Sequence, residues 1–514
     1  MGWCRNLGSV MAAVCLLAQA PAAQAAWYRA ETDRFVVFGE GQEAQVRDYA
    51  VKLTTFDRVL RLLNPIGAER PVGGKVEVYL VRGLGEMRRV RPSIGAGIAG
   101  FYSGNNEAMF AVADVDREGL KAQQVLFHEY AHHFMLANFP AAYPAWFVEG
   151  WAEYYQTVEI TPDQIKVGDY SDNRVEWLWL GRWLPLDELL TKRVSDLRDE
   201  GQAAFYAQAW LLMHYMRSDP ERAAQLNAAM LAISKGEEPL TAFKAATGAE
   251  PKQLDKRLQR YRKLPVLLMK NSEPSPEVTV TQLPASADDL LLENLRLMSS
   301  PLEPVDTRLL EQIRAKAARY PGERLAEMTL ARAEFIYGDV GKAQAILDAR
   351  IAMDPKDEDA LVLAGVGQHI AGLRDPARMA ERFRAARRYF GKAHTLDSND
   401  FRTLYHYARS RQLEANYPTD NDVAALLQAR AFAPSVLEIS MHAGAALMHR
   451  GRKAEAALVL SPLLNSPHGG STAQVAKALL EGRSLDAAEA SAQPAAGPVS
   501  APSGAETEKS ADGG

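Results

Sequence analysis

The stretch "VLFHEYAHHF" (125–134) sets three histidines and a glutamate among apolar residues. Its centre, His128-Glu129-Tyr130-Ala131-His132, is HExxH. On a helix, positions four apart share a face, so the imidazoles of His128 and His132 can grip one zinc ion, with Glu129 beside a polarised water as general base. Val125, Leu126, Phe127, Ala131 and Phe134 are apolar, which predicts a buried helix. Burying two histidines and a glutamate without partners would be costly. The competing reading is a pair of core histidines satisfied by other groups. His133 points about 100° away from His132 on a helix and is read as non-ligating.

A catalytic zinc needs a third protein ligand and an open position. The candidate lies in "YPAWFVEGWAEYYQ" (143–156), where Glu149 and Glu153 are four apart on a face otherwise crowded with Trp146, Phe147, Trp151 and Tyr154. Two carboxylates there need partners. Glu149 as ligand and Glu153 as acceptor for a ligand histidine N–H meet that need, because zinc-bound histidines usually donate to a carboxylate.

HExxH followed one helix later by Trp146-Phe147-Val148-Glu149-Gly150 resembles the gluzincin metallopeptidases, the peptidase MA-like group that includes thermolysin and aminopeptidase N. The resemblance covers roughly residues 27–268 and rests on about 30 of them. It implies a zincin-like fold with His128, His132 and Glu149 on zinc, Glu129 as general base and Glu153 as the acidic residue four after the glutamate ligand. The His132–Glu149 spacing is slightly shorter than in those two relatives, as in a distant member. Aminopeptidase-like members stabilise the oxyanion with a tyrosine in Tyr-x-x-Gly. The nearest match is Tyr206 in "AAFYAQAWLLMHYM" (203–216), with Ala209 in place of the glycine; a core aromatic beside Trp210 is the plainer alternative. His214, two turns on, reads as a core histidine. The resemblance also implies that a substrate runs antiparallel along the sheet edge at "AMFAVADV" (108–115). "GNNEAMF" (104–110) offers Glu107 but not the aminopeptidase order Gly-x-Met-Glu-Asn, which speaks against aminopeptidase action.

Strands and helices must position these groups. "DRFVVFGEG" (33–41), "KVEVYLVRG" (75–83) and "AMFAVADV" read as strands. Val46, Tyr49, Leu53, Phe56, Leu60 and Leu63 recur at helical spacing until Asn64-Pro65. The Gly- and Ser-rich "PSIGAGIAGFYSGNN" reads as loop. Helices are expected from about Asp116 to Asn138 and again from Pro144. Strands followed by helices predict an α+β domain over 26–270. Residues 271–300, opening with "NSEPSPEVTVTQLPASADD", read as a linker. From 301 to 482 the chain is Ala- and Leu-rich, with turn-marking residues at Pro321, Pro355, Ser398, Pro434 and Pro467. A spacing near 34 residues is that of paired-helix tetratricopeptide-like repeats. The longer gap between Pro355 and Ser398 implies an insertion around Arg374–Arg384. An irregular all-α domain is the alternative. Residues 483–514, rich in Ala, Pro, Ser and Gly, read as a disordered tail.

The N-terminus has Arg5, a short apolar run over Val10–Ala20 and a small-residue site at Ala23-Gln24-Ala25, the pattern of a secretory signal peptide over 1–25. Both cysteines, Cys4 and Cys15, fall inside it, so the exported chain is expected to lack disulfides. Val14 is too bulky for a lipid-attachment motif at Cys15. No later apolar run approaches the ~18 residues of a membrane span. A net charge of −5 argues against a general nucleic-acid binder. The expectation is a periplasmic or secreted zinc peptidase acting on a protein or peptide, its repeats recruiting that substrate or a protein partner. The rival is a non-catalytic scaffold or assembly factor with a vestigial peptidase-like domain, which would have little reason to keep Glu129.

Overall fold

The computed structural model describes residues 26–64, 74–96, 98–116, 120–170, 172–181, 183–299, 306–464 and 470–492. The expected signal peptide over 1–25, the chain beyond 492 and the marker Pro467 lie outside the described residues. The described residues begin with β1 (Trp27–Glu31), β2 (Phe35–Glu40), α1 (Glu43–Leu63), β3 (Val76–Val81), α2 (Gly83–Val90), β4 (Gly100–Gly104) and β5 (Met109–Asp114). Next come α3 (Leu120–Asn138), α4 (Ala145–Gln156), the short β6 (Glu159–Ile160) and β7 (Gln164–Val167), and α5 (Asp172–Leu180). Helices α6 (Leu186–Thr191), α7 (Asp199–Arg217), α8 (Pro220–Ser234), α9 (Pro239–Thr247) and α10 (Pro251–Arg260) lead to β8 (Leu267–Lys270) and β9 (Thr279–Gln282).

The main sheet is mixed, in the order β4-β5-β3-β2-β1-β9. β2–β3 and β3–β5 are parallel and the other pairs antiparallel. Alternation along the strands builds two cores. Phe35, Val37, Val76, Val78, Leu80, Ala111 and Ala113 pack under α1 and α3. Val36, Phe38, Tyr79, Val81, Phe110 and Val112 face the opposite way, toward α2 and a later helix.

Two expectations are corrected here. "GIAGFYSGNN" contains a strand, β4, because Phe101 fills the second core while Gly100 lets α3 approach. A Cβ at Gly100 would stand 2.7 Å from Val112 O and 2.8 Å from a Val125 methyl. β4, not β5, is therefore the sheet edge, and β5 is paired on both sides. The segment 271–300 is also no free linker. β9 adds a sixth strand beside β1, and α11 (Ser286–Ser299) buries Leu291, Leu292 and Leu295 in the second core.

Beyond α11 the described chain is helical: α12 (Thr307–Ala317), α13 (Arg324–Tyr337), α14 (Val340–Met353), α15 (Glu358–Arg374), α16 (Met379–Leu396), α17 (Phe401–Ser410), α18 (Asp420–Phe432), α19 (Leu437–His449), α20 (Lys453–Leu464), α21 (Gly470–Leu480) and α22 (Leu485–Ser491). Pro321, Pro355, Ser398 and Pro434 fall between successive helix pairs. The long gap is taken up by longer helices, α15 and α16, joined by four residues, not by an inserted loop. Packing runs past residue 482: Ser484 caps α22 and Ala488 is buried. An N-terminal region of strands and helices around a mixed sheet thus precedes an all-helical C-terminal region.

Candidate metal centre

The α3 helix is fixed in rotation by three different neighbours. Toward α1, Phe127 stacks on Phe56 with ring centroids 3.9 Å apart. On the same side Tyr130 donates a 2.7 Å hydrogen bond to buried Asp57, which also accepts from Arg61 and lies 3.0 Å from Arg34. Toward α4 it presents His128 and His132. Toward β4 it presents His133, whose Nδ1 lies 3.2 Å from the Tyr102 hydroxyl. His133 therefore stands apart from its neighbour's contacts, and burial lowers its pKa to about 4.

The Nε2 atoms of His128 and His132 are 3.1 Å apart, and each lies 3.5 Å from Glu149 Oε2. Tetrahedral zinc with bonds of about 2.05 Å holds its ligand atoms roughly 3.3 Å apart. Two imidazoles and a carboxylate at these separations fit that ion. His128 and Glu149 are buried, while His132 keeps 18% of its side chain exposed, which gives the centre a solvent side. Burial opposes a charge on His128, but Glu149, Glu153 and Glu129 outweigh it, and its pKa lies above the ordinary value. A proton and a cation therefore compete for this ring.

Gly150 explains how α4 brings Glu149 to this point. A Cβ there would stand 2.6 Å from the Ala209 carbonyl oxygen of α7, so the small residue permits a close helix crossing. Tyr206, on the same helix as Ala209, lies within range of the Glu149, Glu153 and Glu129 charges. Its ring carries the Arg174 guanidinium at 5.0 Å. Burial, then the charges of Glu149 and Glu153, push its pKa well above 10, so the phenol stays protonated and able to donate.

Glu153 is fully buried, with Oε1 at 3.5 Å from His128 Nδ1. Arg174, on α5, grips both of its oxygens at 2.8 Å, and Gln156 donates to it at 2.5 Å. Nothing in the spacing of "SDNRVEWLWL" marks Arg174 for this role; the pairing depends on how α5 folds back. Glu129 is partly exposed, and its charge is felt by His128, Tyr102 and Tyr206 together. His214 lies in the core, 3.0 Å from the Tyr261 hydroxyl and packed on Trp210. Glu107 is also accounted for elsewhere: it is buried against Arg332 at 2.6 Å, in the helical region.

Compared with known proteins, the chain matches no protein-family model and no curated protein sequence.

Proposed function

We propose that the chain is an exported zinc-dependent peptidase of the gluzincin kind, a zincin-like domain followed by tetratricopeptide-like repeats. The observation that carries this reading is the convergence of His128, His132 and Glu149 at zinc-ligand separations with Glu129 alongside. Bound there, zinc would act as a Lewis acid toward a scissile carbonyl and make a nearby water more acidic.

The chain's own groups supply the rest. Glu129 takes a proton from the attacking water as the C–O bond forms, and returns it to the amine as the C–N bond breaks. The Tyr206 O–H donates to the carbonyl oxygen as negative charge develops on it. Glu153, held on both oxygens by Arg174, orients His128 and keeps its ring electron-rich. The scaffold alternative gains no support from these contacts, since a structural role gives Glu129 no task.

The test is the purified chain against its Glu129→Gln variant on unfolded casein. Zinc content and melting temperature should match the wild type, while hydrolysis falls at least about 100-fold. Proteolysis retained by Glu129→Gln overturns the mechanism; a zinc-free, inactive wild type overturns the peptidase reading itself.

A further inference from the structure

The repeats sit directly against the edge strand of the proposed catalytic domain. The turn between β4 and β5 is inserted among the first helices of successive pairs. Asn106 donates to Glu438 of α19 at 3.0 Å, and buried Glu107 pairs with Arg332 of α13. Met109 joins the core formed by Phe401, Leu404 and Ile439. Where this turn lies, the inner face of the repeats is covered by the chain's own residues and is not open to a partner.

At the same seam Ser435, just ahead of α19, lies 2.7 Å from the Tyr102 hydroxyl and 3.4 Å from His133 Nδ1. Its carbonyl oxygen would stand 2.9 Å from a Cβ at Gly104, so the strand needs glycine there. A residue of the repeats thus ties the edge strand to the helix that carries HExxH.

Among the described residues that strand pairs with another strand, β5, on one side alone. Asn105 N–H donates to Ala108 O, and Asp114 N–H to Ala99 O. In an antiparallel ladder the bonded positions alternate, so Gly100, Tyr102 and Gly104 turn their N–H and C=O groups outward. Among the described residues no strand pairs with that side. Tyr102 is the middle of the three, and its side chain lies within reach of the Glu129 charge.

We propose that the repeats form a working part of the catalytic site: Ser435 holds Tyr102, and Tyr102 sets the outward edge of β4, where an extended substrate pairs, in register with Glu129. Ser435 and Tyr102 are positioning residues. This assignment rests on the peptidase reading for its chemistry, while the coupling itself can be measured without turnover.

The experiment compares full-length wild type with Ser435→Ala, Ser435→Thr and Tyr102→Phe. A quenched fluorescent peptide cleaved by the wild type gives kcat and KM, and hydrogen exchange reports on residues 100–104 and 129–134. Losing one hydrogen bond that fixes a reacting geometry should lower kcat about tenfold with KM within about twofold. Exchange should rise about tenfold in both segments for Ser435→Ala and Tyr102→Phe, with zinc content unchanged. Ser435→Thr, which keeps the hydroxyl, should stay near wild type in both readouts. Wild-type exchange in Ser435→Ala overturns the coupling whatever the activity. A kcat unchanged while exchange rises overturns its catalytic role. If wild type and Glu129→Gln are equally inactive and zinc-free, the peptidase reading fails instead, and the exchange data still decide whether Ser435 positions the strand.

Discussion

Buried charge is handled differently at the candidate metal centre and in the C-terminal helical region. In the helical region each of three buried acids faces an arginine directly. Glu334 takes both nitrogens of Arg314 at 2.7 and 2.9 Å, Asp357 takes those of Arg324 at 2.8 and 2.7 Å, and Asp422 accepts from Arg411 at 2.7 Å. These pairs are closed, and two of the acids also cap helices. At the metal centre Glu149 instead faces two imidazoles across equal 3.5 Å separations, so three donor atoms share one point. Closed pairs stabilise a particular packing. A convergent donor set could hold a cation.

Four perturbations sharpen that contrast. The largest effect belongs to Glu149→Ala: zinc should be lost on dialysis against a mild chelator, while the melting temperature of the metal-free protein changes little. Metal analysis showing unchanged zinc would remove Glu149 from the ligand set. Next, Asp357→Asn should cost about 2 kcal/mol in denaturant unfolding by weakening the charge-assisted bonds from Arg324 and Arg350, which keep only Asp359 and Glu327 as anionic partners. Zinc affinity should not move; if it does, the two regions are less independent than their charge pairing implies. Smaller is Glu153→Gln, which keeps the shape but weakens the acceptor behind His128. Chelator competition should show zinc bound roughly 10–100-fold more weakly, and wild-type affinity would reduce Glu153 to a packing role.

The smallest effect is a pH dependence. Burial is the main cause that lowers the pKa of His369, His406 and His442, on α15, α17 and α19. Glu107 and Glu438 oppose the shift at His406, and Arg409 adds to it at all three. A folded pKa below the unfolded value means stability present above about pH 6.5 and lost as pH falls. Melting temperature should therefore drop between about pH 7.5 and about pH 5.5, and His369→Gln should reduce that drop. An identical slope in the variant would show that His369 does not contribute.

The cluster of His128, His132 and Glu149 that could hold a metal was legible because it is local. His128 and His132 share a helix face by spacing alone, and Glu149 with Glu153 repeats the device one helix later. The turn markers at Pro321, Pro355, Ser398 and Pro434 were legible for the same reason. What the sequence hid depends on distant contacts. Arg174 reaches Glu153 only once α5 folds back, Asp57 meets Tyr130 across α1 and α3, and Ser435 meets Tyr102 across more than 300 residues. Composition misled where a local rule competes with packing. Glycines in "GIAGFYSG" suggested a loop, but Gly100 and Gly104 serve close approach in β4, and Pro and Ser around 271–289 suggested a linker where Val280 pairs with Ala30.

That pairing has a consequence for how the protein can be cut. β9 shields the outer edge of β1, so the first strand of the chain is completed by residues that follow all of α4–α10. A fragment ending near residue 270 would keep every metal ligand yet leave β1 as a bare edge, an invitation to intermolecular strand pairing. It would also strip α11 from the second core and expose Trp27, Phe38 and Tyr79. The smallest autonomous folding unit around the sheet therefore extends at least to Ser299, and a fragment made at the apparent boundary should form aggregates that one made past α11 does not.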